Sequence, residues 1–184
     1  MSRLIDPDTE YLLWQTLAGA WPIGRERLAG YLTKAIREAK RRTSWSDPDP
    51  DYEAAVLGLA GRALDDAWLA ASIGEFVASI GGDALANSLG AKLVQLTMPG
   101  VPDVYQGCEL AGLSLVDPDN RRGVDFAMRQ SLLADLDAVG SGRTAGLDAA
   151  KLLVTSRALR LRRDHPDWFA GTYTPLSAAA APVR

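Results

Sequence analysis

The feature that most constrains the fold is a short apolar segment that follows a Pro99-Gly100 turn. The segment, residues 101–105, contains Pro102 and is too short for a free amphipathic strand. It is typical of a short buried strand in a parallel sheet or barrel. A lone strand of this kind leaves its backbone hydrogen-bonding groups unpaired. We therefore expect its partner strands to lie outside this sequence and the chain to be part of a larger sheet or barrel.

The rest of the chain is dominated by helical patterns. Apolar side chains recur at three- and four-residue spacing, as in a helix with one buried face. Within the longest pattern, Gly74 is a candidate for a break or for a close packing contact, and Gly81-Gly82 is expected to end it. Helices are predicted over residues 8–20, 25–42, 51–79 (in two pieces), 83–97 and 147–163, with one or two helical turns within 124–136. The predicted fold class is predominantly α.

The composition excludes several classes of protein. A net charge of −3 over 184 residues gives no general basic field for nucleic acid or an anionic membrane. The apolar runs fall far short of the roughly 20 residues that span a bilayer. Cys108 and His165 are the only cysteine and histidine, so they cannot build a His/Cys metal site. We expect a cytoplasmic, soluble protein with no cofactor, no metal, no nucleic-acid partner and no membrane association.

The richest polar chemistry lies in the loop Asp117-Pro-Asp-Asn-Arg-Arg122. It combines two carboxylates, an amide and two guanidiniums. Such acceptors and donors suit the vicinal hydroxyls of a sugar. The alternative is that the four charged side chains pair with one another and lock the loop; these are Asp117, Asp119, Arg121 and Arg122.

A second polar loop, residues 43–53, carries one aromatic side chain, Trp45. A planar aromatic ring in a loop can stack on a sugar ring. It can also anchor the loop against the body of the protein, which is the reading that we favour.

Two motifs together resemble a known family. Residues 99–109, Pro-Gly-Val-Pro-Asp-Val-Tyr-Gln-Gly-Cys-Glu, resemble the eighth barrel strand of the alpha-amylase superfamily of glycoside hydrolases and transglycosylases. Residues 117–122 resemble the loop that follows this strand. Wider matches at 113–125, at 34–40 followed by 43–45 and 52–53, and in the tail at 157–163 and 173–176 resemble the branch that rearranges the reducing end of maltooligosaccharides into a trehalose unit. Three departures are Gly123 for the usual Pro, Cys108 for a hydroxyl residue and Ala111-Gly112 for Trp-Asp.

The resemblance implies the last strand and helix of an incomplete (β/α)8 barrel. It also implies an intramolecular transglucosylation, in which the reducing-end α-1,4 linkage of a maltooligosaccharide becomes an α,α-1,1 linkage. The family uses a retaining route with a carboxylate nucleophile and a carboxylic general acid/base. Those carboxylates come from earlier barrel strands, so we assign no catalytic residue here. The expected partners are a maltooligosaccharide and the missing N-terminal barrel portion of the same enzyme.

The residues that the resemblance implicates in substrate binding lie in the loop after the strand. Asp117 and Arg121 match positions that bind glucose units, and Asp119, Asn120 and Arg122 are adjacent candidates. On the strand side, Tyr105 and Gln106 are expected to shape the barrel rim. For Glu109 we expect a structural salt bridge.

The expected domain organisation has three parts. Residues 1–82 form a helical region, 83–165 the last barrel helix–strand–helix unit with the substrate-side loop, and 166–184 the truncated start of a C-terminal β domain. Two alternative functions remain: an α-glucan hydrolase of the same superfamily, or a non-catalytic helical interaction module.

Overall fold

A computed structural model describes residues 4–139 and 146–175 of the chain. Within these ranges the fold is helical and contains no strand, which confirms the predominantly α fold class. Short 3-10 turns lie at Asp119–Arg121 and Pro166–Phe169. The helices are α1 (Pro7–Ala20), α2 (Arg25–Ala39), α3 (Pro50–Asp65), α4 (Ala67–Ser79), α5 (Gly81–Thr97), α6 (Phe126–Val139) and α7 (Gly146–Asp164).

Aspartates set the starts of three of these helices. The side chains of Asp6, Asp49 and Asp66 each accept a hydrogen bond of 3.0 Å from a backbone N–H in the first turn of α1, α3 and α4. Such caps satisfy a donor that has no intrahelical partner. The cap at Asp66 also explains why the predicted run 51–79 divides there and not at Gly74.

Two other boundaries differ from the predictions. Gly81 begins α5, whereas Gly81-Gly82 was expected to end the preceding run. The region 124–136 forms a full helix, α6, because Leu136 lies in a small buried core with Leu110 and Leu152. Tertiary packing has stabilised more helix there than the local pattern indicated.

The predicted strand at residues 101–105 is wrong for the part of the chain that the structure describes. These residues form no regular secondary structure, and Val101 is 98% exposed. A strand requires a ladder partner, and none is present among the described residues. Side chains bind the nearby carbonyls instead: Gln95 donates to the Asp103 carbonyl at 2.6 Å, and Arg162 to those of Leu96 and Met98 at 3.0 and 2.9 Å.

Of the predicted start of a β domain, residues 166–184, the structure describes 166–175, and these form no strand: Pro166–Phe169 is a 3-10 turn. Residues 172–175 have no regular secondary structure, and 176–184 are not described. No single described helix is long and apolar enough to cross a membrane; α4 and α5 satisfy length and composition only when they are counted together across their break.

The chain divides into two compact units. The first contains Met1–Ala84 and Gly112–Gly123, and the second Leu85–Ala111 and Val124–Arg184. The first unit has the larger core, which α1, α2 and α3 build from fully buried side chains such as Leu13, Leu17, Leu28, Leu32 and Val56. Leu115 packs against this core, so the polar loop that follows it is tied to the helices of the first unit.

The second unit is organised around α6 and α7. The buried side chains there are Leu110, Leu136, Ala149 and Leu152. Asp148, in the first turn of α7, accepts a hydrogen bond of 2.8 Å from the backbone N–H of Ala111. This bond fixes the end of the segment that contains the first motif.

Candidate functional site

The loop after Leu115 has a defined local structure. The Asp117–Pro118 peptide bond is cis. The N–H of Asp119 donates to the Val116 carbonyl at 3.1 Å, and the N–H of Arg121 donates to the Pro118 carbonyl at 3.0 Å. These bonds form the 3-10 turn Asp119–Arg121. The loop therefore has its own backbone hydrogen bonds, and its side chains project from a turn of fixed shape.

Asp119 is the anchor of the loop. Arg27, on α2, binds its carboxylate through two hydrogen bonds of 2.8 Å, from Nε and from a terminal guanidinium nitrogen. The backbone N–H of Leu115 donates to Oδ2 at 2.7 Å. Asp119 is only 14% exposed, so these charge-assisted bonds are largely shielded from water. The hydrogen bonds from Arg27 are the main cause that lowers the pKa of the Asp119 carboxyl below its ordinary value.

The helix α2 binds the loop at two further points. Arg27 also donates to the carbonyl of Leu113, and Lys34 donates to the carbonyl of Asp117. Residues 27 and 34 are seven positions apart, which places both on one face of the helix. One face of α2 is therefore the platform on which the loop rests.

The other pairs within the loop agree with the locking alternative. Arg121 Nε lies 2.5 Å from Asp117 Oδ1, and Arg122 Nε lies 3.4 Å from Asp119 Oδ1. Arg122 also donates to the carbonyl of Asp119 at 3.1 Å. The four charged residues of the loop do pair with one another, as one of the two interpretations predicted.

The two carboxylates of the loop nevertheless differ in availability. The side chain of Asp117 is 48% exposed and that of Arg121 is 71% exposed. Asp117 Oδ1 lies close to Arg121, is itself shielded from solvent, and accepts no hydrogen bond from any described residue. The two side chains are otherwise exposed and Oδ1 has no formed hydrogen bond, so the pair contributes little to stability and can rearrange toward a ligand at small cost. Asn120, which is exposed, lies between Asp119 and Arg121.

A pocket of about 250 Å³ lies between the loop and α2. The loop side is residues 116–119, and the helix side includes Tyr31 and Lys34. Ligand pockets in proteins typically have volumes of about 300–1,000 Å³. The volume here is therefore suited to a small part of a ligand, such as one sugar unit, and not to a whole oligosaccharide.

Trp45 is held by Arg37. The Arg37 guanidinium lies 4.9 Å from the centre of the Trp45 ring and binds Glu53, on α3, through two hydrogen bonds of 2.7 Å. The hydrogen bonds from Arg37 and Thr43 lower the pKa of Glu53 to about 2. The ring stays 58% exposed. Trp45 thus anchors its loop through a cation–π contact, in agreement with the reading favoured from the sequence.

The candidate residues of the second unit have simpler environments. Glu109 lies 3.3 Å from Arg129 Nε, which confirms the expected structural salt bridge. Tyr105 and Gln106 are exposed, and their assignment to a barrel rim stays a prediction. The described residues contain no group of His, Cys, Asp and Glu side chains that could hold a metal ion.

Sequence reasoning found the loop but missed Arg27. This residue lies 92 positions before Asp119, so no local spacing indicates the pair. Lys34 also lies 3.9 Å from Glu38, four residues further along the same helix. The only available signal was that positions 27 and 34 of the helical pattern both carry cations on one face.

Comparisons with known proteins identify close relatives. No family model matches the chain. A Mycobacterium tuberculosis protein that carries the name maltooligosyl trehalose synthase is 43% identical over 182 residues, which are 95% of this chain and 22% of the relative. The solved structure of maltooligosyltrehalose synthase from Arthrobacter ramosus matches with a TM-score of 0.81 and 47% identity, over 86% of this chain and 21% of that one.

A second solved structure extends the match. It is a crystal structure of a maltooligosyl trehalose synthase, with a TM-score of 0.83 and 28% identity, over 95% of this chain and 25% of that one. The chain spans about a fifth to a quarter of the length of these relatives. Fold and sequence thus agree over nearly the whole chain, but over a minor part of each relative.

Proposed function

We propose that this chain is a segment of an enzyme of the maltooligosyl trehalose synthase type. Such an enzyme converts the reducing-end α-1,4 linkage of a maltooligosaccharide to an α,α-1,1 linkage by intramolecular transglucosylation. The observation that carries the proposal is identity of 43% and 47% to two relatives of that name over most of this chain. The loop geometry is consistent with it, because the half-exposed carboxylate of Asp117 lines a pocket of suitable size for one sugar unit and pairs with the exposed guanidinium of Arg121.

The contribution of the segment is substrate binding. Asp117 and Arg121 would exchange part of their exposed ion pair for hydrogen bonds with glucose hydroxyls. A carboxylate accepts and a guanidinium donates, so together they match both roles of a hydroxyl group. Asn120 and Arg122 are close enough along the chain to add contacts, and Asp119 fixes the loop that carries them.

The catalytic carboxylates would lie outside this chain. A retaining glycosidase needs a carboxylic acid whose pKa is raised, so that it can protonate the leaving oxygen. Asp119 has the opposite property, because Arg27 lowers its pKa. Asp119 is therefore unsuited to act as the general acid. In the proposed whole enzyme, the acid and the nucleophile come from the remaining portion of a (β/α)8 barrel. We also propose a cytoplasmic location.

A chimera tests this proposal. In the Arthrobacter ramosus synthase, the segment that matches this chain is replaced by this chain, and the loss of reducing ends from maltopentaose is measured together with the products. The controls are the unmodified synthase and a synthase from which the segment is deleted. We expect the chimera to form a non-reducing maltooligosyl trehalose and the deletion variant to be inactive.

The products also distinguish the competing hydrolase. Release of glucose and short maltodextrins, without a non-reducing product, would assign the chain to an α-glucan hydrolase of the same superfamily. A folded chimera with neither activity would reject both assignments.

A further inference from the structure

Four hydrogen bonds from α2 hold the loop on both sides of Asp117. Arg27 donates to the carbonyl of Leu113 and binds the carboxylate of Asp119, and Lys34 donates to the carbonyl of Asp117 itself. Asp117 is thus located by its neighbours, while its own side chain stays half exposed. Leu115 also packs against the buried core of this unit.

We propose that Arg27 and Lys34 are positioning residues, which hold the loop so that Asp117 and Arg121 face a glucose unit of the substrate. This inference rests on the proposed function, because it takes a maltooligosaccharide as the ligand. Arg27 and Lys34 act through the loop: Arg27 fixes the Asp119 carboxylate and the Leu113 carbonyl, and Lys34 fixes the carbonyl of Asp117. A bidentate guanidinium is suited to this role, because it fixes the orientation of a carboxylate as well as its distance.

A second pair on the same helix shows what a purely structural role looks like. Arg37 binds Glu53 with the same bidentate geometry, and the two side chains are 26% and 12% exposed, against 22% and 14% for Arg27 and Asp119. The Arg37–Glu53 pair joins α2 to α3, which already share a buried core. The Arg27–Asp119 pair instead joins a helix to a loop that borders a pocket. Arg37→Gln is therefore a matched control for Arg27→Gln.

The test is a double-mutant cycle on the 184-residue chain with maltotriose as the probe. Affinity is measured from chemical-shift changes in a titration of the isotope-labelled chain, and thermal melts confirm folding. We expect Asp117→Ala and Arg27→Gln each to weaken binding by about 5- to 10-fold, which lies within the range for the loss of one ordinary hydrogen bond. The double variant should lose less affinity than the product of the two single losses, because part of the effect of Arg27→Gln is transmitted through the position of Asp117.

The control and the conservative variants make the outcome specific. Arg37→Gln should leave the affinity for maltotriose unchanged although it removes an equivalent pair. Arg27→Lys should resemble Arg27→Gln, since an ammonium cannot bind the carboxylate in the same fork. Should Arg27→Gln fail to fold, Lys34→Met takes its place in the cycle.

Several results would overturn the inference. They are additive effects of Arg27→Gln and Asp117→Ala, an equal loss of affinity in Arg37→Gln, or no saturable binding of maltotriose to the unmodified chain. The chimera tests the proposed function separately from the positioning role. If the chimera forms the non-reducing product and the cycle is additive, the proposed function is retained and the positioning role is rejected. If the cycle is coupled and the chimera only hydrolyses maltopentaose, the positioning role is retained and the proposed function is rejected.

Discussion

The loop at residues 113–122 and the segment at residues 101–105 carry the two motifs of this chain, and they differ in what holds them. The loop is fixed by Arg27 and Lys34 and by the packing of Leu115 against a buried core. The segment has no ladder partner among the described residues, and Val101 is almost fully exposed. A motif takes its functional shape only where its partners are present, and this chain contains the partners of the loop.

The first prediction compares two ion pairs that involve the loop, Arg27–Asp119 and Arg121–Asp117. Arg27→Gln should lower the free energy of unfolding by about 1–3 kcal/mol, because the shielded Asp119 carboxylate loses its charged hydrogen-bond donor. Arg121→Gln should lower it by less than about 1 kcal/mol, because both partners of that pair are exposed. Urea unfolding of the two variants measures the difference. Equal losses would show that Asp119 is held no more firmly than Asp117, and the distinction between an anchored and an available carboxylate would fail.

Much of the helical fold could be predicted from the sequence because the signals for a helix lie in residues that are close together along the chain. The apolar periodicity and the capping aspartates are properties of neighbouring residues, and the boundaries of α1 and α3 lie within a residue of the predicted starts. The start of α5 was harder, because Gly81 and Gly82 favour a break locally and nevertheless lie in its first turn. The length of α6 depended on Leu136 being buried, which no local pattern states.

The candidate site was predictable in content but not in arrangement. The loop's residue types indicated sugar binding or mutual pairing, and the structure shows the pairing. It could not be predicted that Asp119 is the anchored carboxylate and Asp117 the available one. That distinction depends on Arg27, which is distant in sequence and close only after α2 has folded against the loop.

The second prediction uses acid to release the anchored carboxylates. The pKa of Asp119 lies below its ordinary value of 3.8, and that of Glu53 is about 2 against 4.5. A lowered pKa means that the ionised form is stabilised by folding. The stability that each carboxylate contributes is therefore complete above its unfolded pKa and is lost as the pH falls through the folded value.

Carbon-13 spectra of the side-chain carboxyls measure this effect directly. In the unmodified chain, Asp119 should titrate below pH 3.8, and Arg27→Gln should move its titration back toward the ordinary range. Arg37→Gln should do the same for Glu53 and leave Asp119 unchanged. A titration of Asp119 that does not respond to Arg27→Gln would mean that the bidentate pair does not hold the loop in solution.

The third prediction addresses the segment and has the smallest expected effect. In this chain Val101→Asp should change the free energy of unfolding by no more than about 0.5 kcal/mol, because an exposed side chain away from any packed contact has little to lose. In the chimera with the Arthrobacter ramosus synthase the same change should lower the melting temperature clearly, if residues 101–105 there form the buried barrel strand that the sequence predicts, since a buried unpaired carboxylate is costly. Thermal melts of both proteins, each with Val101→Thr as the isosteric control, measure the contrast. If Val101→Asp is harmless in both, the segment is a surface connection even in the whole enzyme, and the absence of a partner strand among the described residues would need no barrel to explain it.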